Sequence, residues 1–317
     1  MQDNISSRTK PLVAIVGPTS VGKTALAVAL AERYGGEIVG ADSRQVYRHM
    51  DIGTAKPTAE ERARAVHHLV DIVDPDQDFS LALYQDLAYQ AIGDIHSRGR
   101  LPLLVGGSGL YVWAVLRGLR IPQVPPDPDL RRALEERAQR EGVESLLREL
   151  EELDPQAARS IDSRNLRRII RALEVCRSTG QPFSTLRKES PPPYNMTIIG
   201  LTLDRDQLYE RIDRRVDVMI DMGLVEEVRG LLECGYGLDL PAMASPGYRE
   251  IGLHLQGELT LREAVQRTKV ATHRMARHQY AWFSLRDPRI SWFPGREGSL
   301  AAIRRQIEEF DGRKTLT

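Results

Sequence analysis

Leu12-Val-Ala-Ile-Val16, followed by Gly17-Pro-Thr-Ser-Val-Gly-Lys-Thr24, is the stretch that decides the fold. Lys10 to Gly17 reads as a short strand buried on both faces, because its apolar residues run into a glycine without alternating with polar ones. The next residues fit G-x-x-x-x-G-K-[ST], and Lys23 to about Tyr34 reads as a helix, so the order is strand, loop, helix. Gly17 and Gly22 permit a tight path that turns backbone N–H groups inward. The helix N-terminus adds partial positive charge there, and Lys23 adds a full one. Thr24 can offer its hydroxyl to a Mg²⁺ ion shared with phosphates. The loop Gly17, Pro18, Thr19, Ser20, Val21, Gly22, Lys23 and Thr24 is therefore read as a diphosphate or nucleotide cradle. It identifies phosphates, not what they are attached to.

Outward from this loop the pattern repeats. Glu37 to Ala41 is a second apolar strand with Asp42 at its carboxyl end, and Leu101 to Val105 a third, ended by Gly106-Gly107. Ser80 to Ser97 carries Leu83, Leu87 and Ala91 four residues apart on one helical face. Strands alternating with helices predict an α/β fold, a P-loop NTPase-like parallel sheet core. After Ile121 the character changes: Pro122, Pro125, Pro126 and Pro128 make a stiff connection, and Asp127 or Asp129 can cap a helix starting near Leu130. From there to about Ser184 the pattern is entirely helical, closed by Pro191-Pro-Pro193. The expected organisation is a catalytic core of residues 1–121 and 197–317 with an inserted all-helical lobe, 122–196. Thr197 to Leu203 returns to strand, about Arg205 to Leu232 reads as one long charged helix, and the tail after Gly295 as an amphipathic helix with a frayed end.

With 41% hydrophobic residues the chain can fill a packed interior. No segment resembles a membrane span or a signal peptide, which reads as a cytoplasmic protein with no membrane partner. Two cysteines, Cys176 and Cys234, make neither a disulfide framework nor a paired-cysteine zinc signature. Net charge is zero, but its distribution is uneven. Arg159, Arg164, Arg167, Arg168, Arg171, Arg177, Arg187 and Lys188 face only Asp162 and Glu174 within their stretch, and Arg267, Lys269, Arg274 and Arg277 lie beside His273 and His278 without an acid. Such runs are either solvated helix faces or phosphate-backbone surfaces.

In open α/β sheets ligands lie beyond the carboxyl ends of the strands, where Asp42 and Gly106-Gly-Ser108 fall. Asp42 can be a Mg²⁺ ligand, a general base or a helix cap. The polar neighbours Ser43, Arg44 and Gln45 suit a surface that touches a second substrate. A motor ATPase carries a metal-serving acid at the end of such a strand; here Leu101 to Val105 ends in glycines, which argues against a motor.

At this point the residues resemble the tRNA dimethylallyltransferase family. The resemblance rests on the P-loop, Asp42-Ser43 leading to Tyr47, Met50-Asp-Ile-Gly-Thr-Ala-Lys-Pro57, His67-His-Leu-Val-Asp-Ile72, Leu103-Leu-Val-Gly-Gly-Ser-Gly-Leu-Tyr111, Arg168-Ile-Ile-Arg-Ala-Leu-Glu174, Gly247-Tyr-Arg-Glu250 and Trp282-Phe283, in that order. It implies transfer of a dimethylallyl group from its diphosphate to N6 of the adenosine on the 3′ side of the anticodon, with the P-loop holding the leaving group and Mg²⁺ as cofactor. Catalytic roles fall on Asp42, Ser108, Lys23 and Arg249, with Asp42 taking the amine proton and Lys23 and Arg249 stabilising diphosphate. The tRNA anticodon stem-loop is the implied partner of Asp42, Ser43, Arg44, Gln45, Ser108, Arg131, Arg167, Arg168, Ile169, Ile170 and Arg171, with Thr24 as metal ligand and Asp42 a candidate to join it. The working form is expected to be a monomer. Ala244, Pro246, the run Ala276-Arg-His-Gln279 and Ala281 depart from the family's usual residues. A P-loop small-molecule kinase and a non-catalytic RNA-binding protein are the competing classes; the first would turn over ATP without tRNA, the second would bind tRNA without making product.

Overall fold

The computed structural model describes residues 10–122, 124–186 and 189–311, so Arg187 and Lys188 of the first basic run lie outside the described residues. The chain forms two compact units: one runs to Val115 and resumes at Pro193, and the other is Leu116–Pro192.

The first unit opens with β1 (Lys10–Val16), α1 (Lys23–Tyr34) and β2 (Gly36–Gly40). A long loop then carries α2 (Ala59–Arg64) and the two-residue β3 (His67–His68), before α3 (Leu81–Ser97), β4 (Leu101–Gly106) and α4 (Gly109–Arg117). The second unit holds α5 (Pro128–Glu141), α6 (Val143–Leu153), α7 (Pro155–Ser160), α8 (Leu166–Thr179) and α9 (Phe183–Leu186). Back in the first unit follow β5 (Tyr194–Thr202), α10 (Arg205–Asp221), α11 (Leu224–Glu233), α12 (Tyr248–Leu255), α13 (Leu261–Trp282), β6 (Ile290–Pro294) and α14 (Leu300–Asp311).

The sheet order is β3-β2-β4-β1-β5-β6, and the pairings are parallel, as strand-helix alternation requires. Leu12 to Val16 are wholly buried. Val13 and Ile15 share a cluster with Ala27, Leu30, Ile303 and Ile307, so α1 and α14 cover one face; with side chains alternating along a strand, Leu12, Ala14 and Val16 fill the other. Because α1 crosses from β1 to β2 over the slot later filled by β4, and β5 pairs on the other side of β1, the crevice falls above β1 and β4.

Arg205 to Leu232 is not one helix. Gly223 takes φ +100°, a left-handed conformation that ends α10 and starts α11. This turns α11 onto a second cluster, in which Val46, Tyr47 and Met50 of the loop after β2 pack against Leu224, Val228, Tyr248 and Ile251.

The second unit is built around Leu134, Leu146, Leu150, Ile169, Ile170 and Leu173, with Asp127 capping α5 through the Leu130 N–H at 3.0 Å. A cap of this kind contributes about 1 kcal/mol.

Candidate active site

The chain leaves β1 at Gly17, whose φ of +139° and crowding (an added Cβ would lie 2.3 Å from the Leu201 carbonyl oxygen) admit only glycine. Ser20 also takes a positive φ, +62°, and its hydroxyl is buried without a described partner. Strain and an unsatisfied hydroxyl each cost on the order of 1–3 kcal/mol, which a ligand with acceptor oxygens would offset in part by taking the Ser20 hydroxyl proton in a hydrogen bond. Lys23 stands at the first position of α1 and donates from Nζ to the Pro18 carbonyl at 2.7 Å. Desolvation pulls its pKa down to about 8, Asp42 opposes this and Arg215 adds to it. At neutral pH it remains mainly cationic.

Asp42 follows β2, whose ladder extends through the Ala41 N–H to the Val105 carbonyl at 2.8 Å. Its Oδ1 accepts the Arg44 N–H at 2.9 Å, a local turn, and no described residue bonds Oδ2. The Ser108 hydroxyl accepts the Ser43 N–H at 3.0 Å and lies 3.2 Å from the Ser43 hydroxyl, so Asp42-Ser43 and the turn after β4 form one unit. Beneath them Tyr84 and Tyr111 stack with ring centroids 4.0 Å apart. Burial raises both phenols, and the charge of Asp42 adds to this, so both stay neutral.

Several expected site residues have structural employment. Arg44 donates to the Pro241 carbonyl at 2.6 Å, and the Gln45 amide to the carbonyls of Thr54 and Ala55 at 3.1 and 2.9 Å. Arg249 is exposed in the first turn of α12, and no described residue pairs with its side chain. Arg215 of α10 also bears on this site: its charge adds to the lowering of Lys23, and its own pKa is lowered by desolvation against the opposing charge of Asp42. Sequence reading missed Arg215 because α10 carries charge on every turn. It also missed Gln279, which bonds the Thr19 N–H and the Gly107 carbonyl at 2.8 and 3.1 Å.

The motif Asp51 to Pro57 is held from α11. Glu227 accepts the N–H groups of Asp51, Ile52 and Gly53 at 3.0, 2.8 and 3.2 Å and the Tyr248 hydroxyl at 2.5 Å. The buried Lys56 joins it, donating to the Tyr47 carbonyl and the Asp51 carboxylate at 2.7 and 2.6 Å and to Asp71.

In the helical unit, the expected RNA-contacting set divides. Ile169 and Ile170 are corrected to core positions, 0% and 3% exposed, because their spacing on α8 faces Leu134 and Leu146. Arg131 grips the fully buried Glu174 through two bonds of 2.8 Å, and Arg171 pairs with the same carboxylate and the Val124 carbonyl. Burial pushes Glu174 up, but bonds from Arg131, the Asp127 N–H and Arg171 outweigh it and hold the carboxyl at about 2. Arg167 and Arg168 are exposed and have no described side-chain partner.

Among the described residues no group of three or more His, Cys, Asp and Glu is arranged for a metal, and no helix is long and apolar enough to cross a membrane. The Thr24 hydroxyl has no described partner, which suits a Mg²⁺ ion that takes most of its other ligands from phosphates and water; Asp42 Oδ2, also without a described partner, suits either a metal or a proton.

A P-loop α/β protein that sets a phosphate cradle beside a carboxylate and a serine turn is the class these features define. The family model for IPP transferase matches residues 45–286, and that for isopentenyl transferase matches residues 10–68. The chain is 59% identical over 284 residues to the tRNA dimethylallyltransferase of Roseiflexus castenholzii, covering 90% of this chain and 92% of that one. It is 52% identical over 314 residues to the tRNA dimethylallyltransferase of Thermomicrobium roseum, covering 96% and 95%. The solved tRNA isopentenylpyrophosphate transferase of Bacillus halodurans superposes with a TM-score of 0.71 at 44% identity, covering 95% and 96%. The chain belongs to the IPP transferase family, whose relatives named here are tRNA dimethylallyltransferases.

Proposed function

We propose that the protein transfers a dimethylallyl group from dimethylallyl diphosphate to N6 of the adenosine 3′-adjacent to the anticodon of tRNA. The observation that carries this reading is the meeting of two half-sites: the P-loop with Lys23, and Asp42 beside Ser43, whose N–H donates to the Ser108 hydroxyl, the two sides being joined by Gln279 through the Thr19 N–H and the Gly107 carbonyl. The C1–O bond of the prenyl diphosphate breaks, its electron pair leaves with the diphosphate, a bond forms between C1 and N6, and Asp42 Oδ2 takes the N6 proton. The adenine amine is a weak nucleophile because its lone pair is delocalised into the ring, so a positioned base helps. Lys23, Arg215 and the loop N–H groups oppose the anionic charge that builds on the leaving group. Arg249 enters this role only if the diphosphate reaches the start of α12. When bound, Mg²⁺ would be held by the Thr24 hydroxyl together with the diphosphate, leaving Asp42 Oδ2 as the base, and would neutralise diphosphate charge.

The target adenine must leave the anticodon stack to enter. Ser43 and Ser108 line its path, while Arg44 and Gln45 shape that segment. Arg167 and Arg168 are the surface cations of the helical unit offered to the tRNA backbone. The protein works as a cytoplasmic monomer, and the P-loop takes the prenyl diphosphate rather than ATP.

The test is incubation with Mg²⁺, radiolabelled dimethylallyl diphosphate and unmodified tRNA, followed by nucleoside analysis. Label in N6-dimethylallyladenosine supports the reading; ATP consumption without label refutes it. Asp42→Ala is expected to cut turnover by roughly 10²-fold or more while leaving tRNA affinity near normal.

A further inference from the structure

Gln279 lies on α13, far in sequence from both half-sites, yet its single amide joins them. Oε1 accepts the Thr19 N–H of the P-loop at 2.8 Å, and Nε2 donates to the carbonyl of Gly107, next to Ser108, at 3.1 Å. A neutral amide can accept at one end and donate at the other in this way, as the charged side chains cannot: a carboxylate has no proton for Gly107, and an ammonium has no lone pair for Thr19.

The helix that carries it is pressed against the turn. A Cβ added at Gly107 would lie 2.3 Å from Gln279 Nε2, and one at Gly109 would lie 2.2 Å from Trp282 Cγ. Gln279 and Trp282 are three residues apart and so share a helical face. The helix end is tied down by the Trp113 indole N–H to the Trp282 carbonyl at 3.1 Å, and by a 2.9 Å bond between the Tyr280 and Thr202 hydroxyls. The wall behind Gly107-Ser108-Gly109 is therefore rigid, and its one polar link to the P-loop among the described hydrogen bonds is Gln279.

We propose that Gln279 is a positioning residue: it fixes the spacing between the leaving-group cradle and the acceptor turn, and through it filling of the P-loop stiffens the turn that carries Ser108. Displacement at C1 needs the amine and the leaving oxygen aligned across one carbon, with the attacking atoms within about 3–3.5 Å, and a misplacement of about 1 Å costs roughly 10²-fold. The effect on turnover rests on the prenyl-transfer reading. The mechanical link rests on the geometry alone, so the two are tested separately.

Gln279→Met keeps the length and bulk of the side chain and removes both bonds. In tRNA prenylation it is expected to lower kcat by roughly 10²-fold while changing KM for either substrate by less than about threefold. In hydrogen exchange with inorganic pyrophosphate and Mg²⁺, the amides of Ser108, Tyr111 and Val112, which bond within this turn or to Ala41, are expected to slow by about tenfold in the wild type, the worth of one hydrogen bond. In Gln279→Met that slowing disappears although pyrophosphate still binds by calorimetry. A loss carried by KM, or equal protection of the turn in both proteins, overturns the proposal, as does absence of protection in the wild type. Should Gln279→Met fail to fold, Gly107→Ala strains the same link from the other side and is read by the same two measurements. A wild type that shows pyrophosphate-dependent protection but makes no prenylated nucleoside refutes the functional reading and leaves the link standing.

Discussion

Lys23 gives the free protein a cation whose charge fades just above neutral pH, since desolvation holds its pKa at about 8. A diphosphate in the loop places negative charge beside Nζ and moves that pKa upward. Binding therefore takes up a proton above pH 8: affinity is fully present below that value and is lost as pH rises through it. Between pH 7 and pH 9 the cationic fraction of such a group falls roughly tenfold, so the affinity for inorganic pyrophosphate, and kcat/KM for the prenyl diphosphate, fall by about the same factor. Folding stability has the opposite slope. The unfolded lysine, at its ordinary 10.5, stays protonated where the folded one does not, so this group's contribution rises with pH between about 8 and 10.5. The assay is calorimetry of pyrophosphate binding at several pH values in the wild type and in Lys23→Arg. Arginine stays charged throughout, so its slope reports only the ionisation of the ligand and of other groups. A wild type whose affinity holds to pH 9, or an arginine variant with the same slope as the wild type, refutes the assignment.

Glu227→Ala removes the acceptor for three backbone N–H groups and for the buried Tyr248 hydroxyl; it is expected to destabilise the protein by about 3 kcal/mol, read from the urea midpoint, and to raise KM for tRNA more than for the diphosphate. Glu174→Ala leaves Arg131 and Arg171 beside an empty buried site and should cost about 3–5 kcal/mol by the same measurement. Because Glu174 is held at about 2, its contribution is fully present above about 4.5 and is lost only as pH falls toward 2, which an acid titration of wild type against variant checks. Replacing Arg167 and Arg168 together by Ala should raise KM for tRNA and flatten the salt dependence of binding by up to about two phosphate contacts, with the diphosphate KM unchanged; an unaltered salt slope would make them ordinary solvated residues.

What could be read from sequence was whatever forces a strong local pattern. An unbroken apolar run into glycine placed β1, the loop and α1 within a residue of their observed bounds, because burial on both faces leaves no polar alternation. Edge elements gave no such signal: β3 is two histidines, and β6, Ile-Ser-Trp-Phe-Pro, is half-buried and mixes polar with apolar residues. Helix α13 buries only Ala264, Thr268 and Ala276, so its hydrophobic stripe is too thin to announce it. Arg215 and Gln279 were illegible for a related reason. On a helix charged around its circumference, nothing local says which polar residue faces the loop, since tertiary packing decides that.

The motifs that identify the family divide the work differently from what their recognition value suggests. The P-loop is the least specific in sequence, yet the proposed reaction gives it the most direct task, offering its amides and Lys23 to the diphosphate. Asp51 to Pro57 and Gly247 to Glu250 are more distinctive, yet they meet each other through Glu227, which accepts the N–H groups of Asp51 to Gly53 and the Tyr248 hydroxyl, and the same loop offers the Thr54 and Ala55 carbonyls to Gln45. Gln45 in turn accepts at its carbonyl the N–H of Asp71, whose carboxylate holds Lys56. Gln45 stands in the same short segment as Asp42 and Ser43, and the Ser43 N–H donates to the Ser108 hydroxyl. Distinctive sequence here serves to fix the loop beside the acceptor side of the site, which a generic phosphate loop cannot specify: leaving-group binding needs only inward amides and a cation, but delivering one exocyclic nitrogen to one carbon needs a surface held in place by its surroundings.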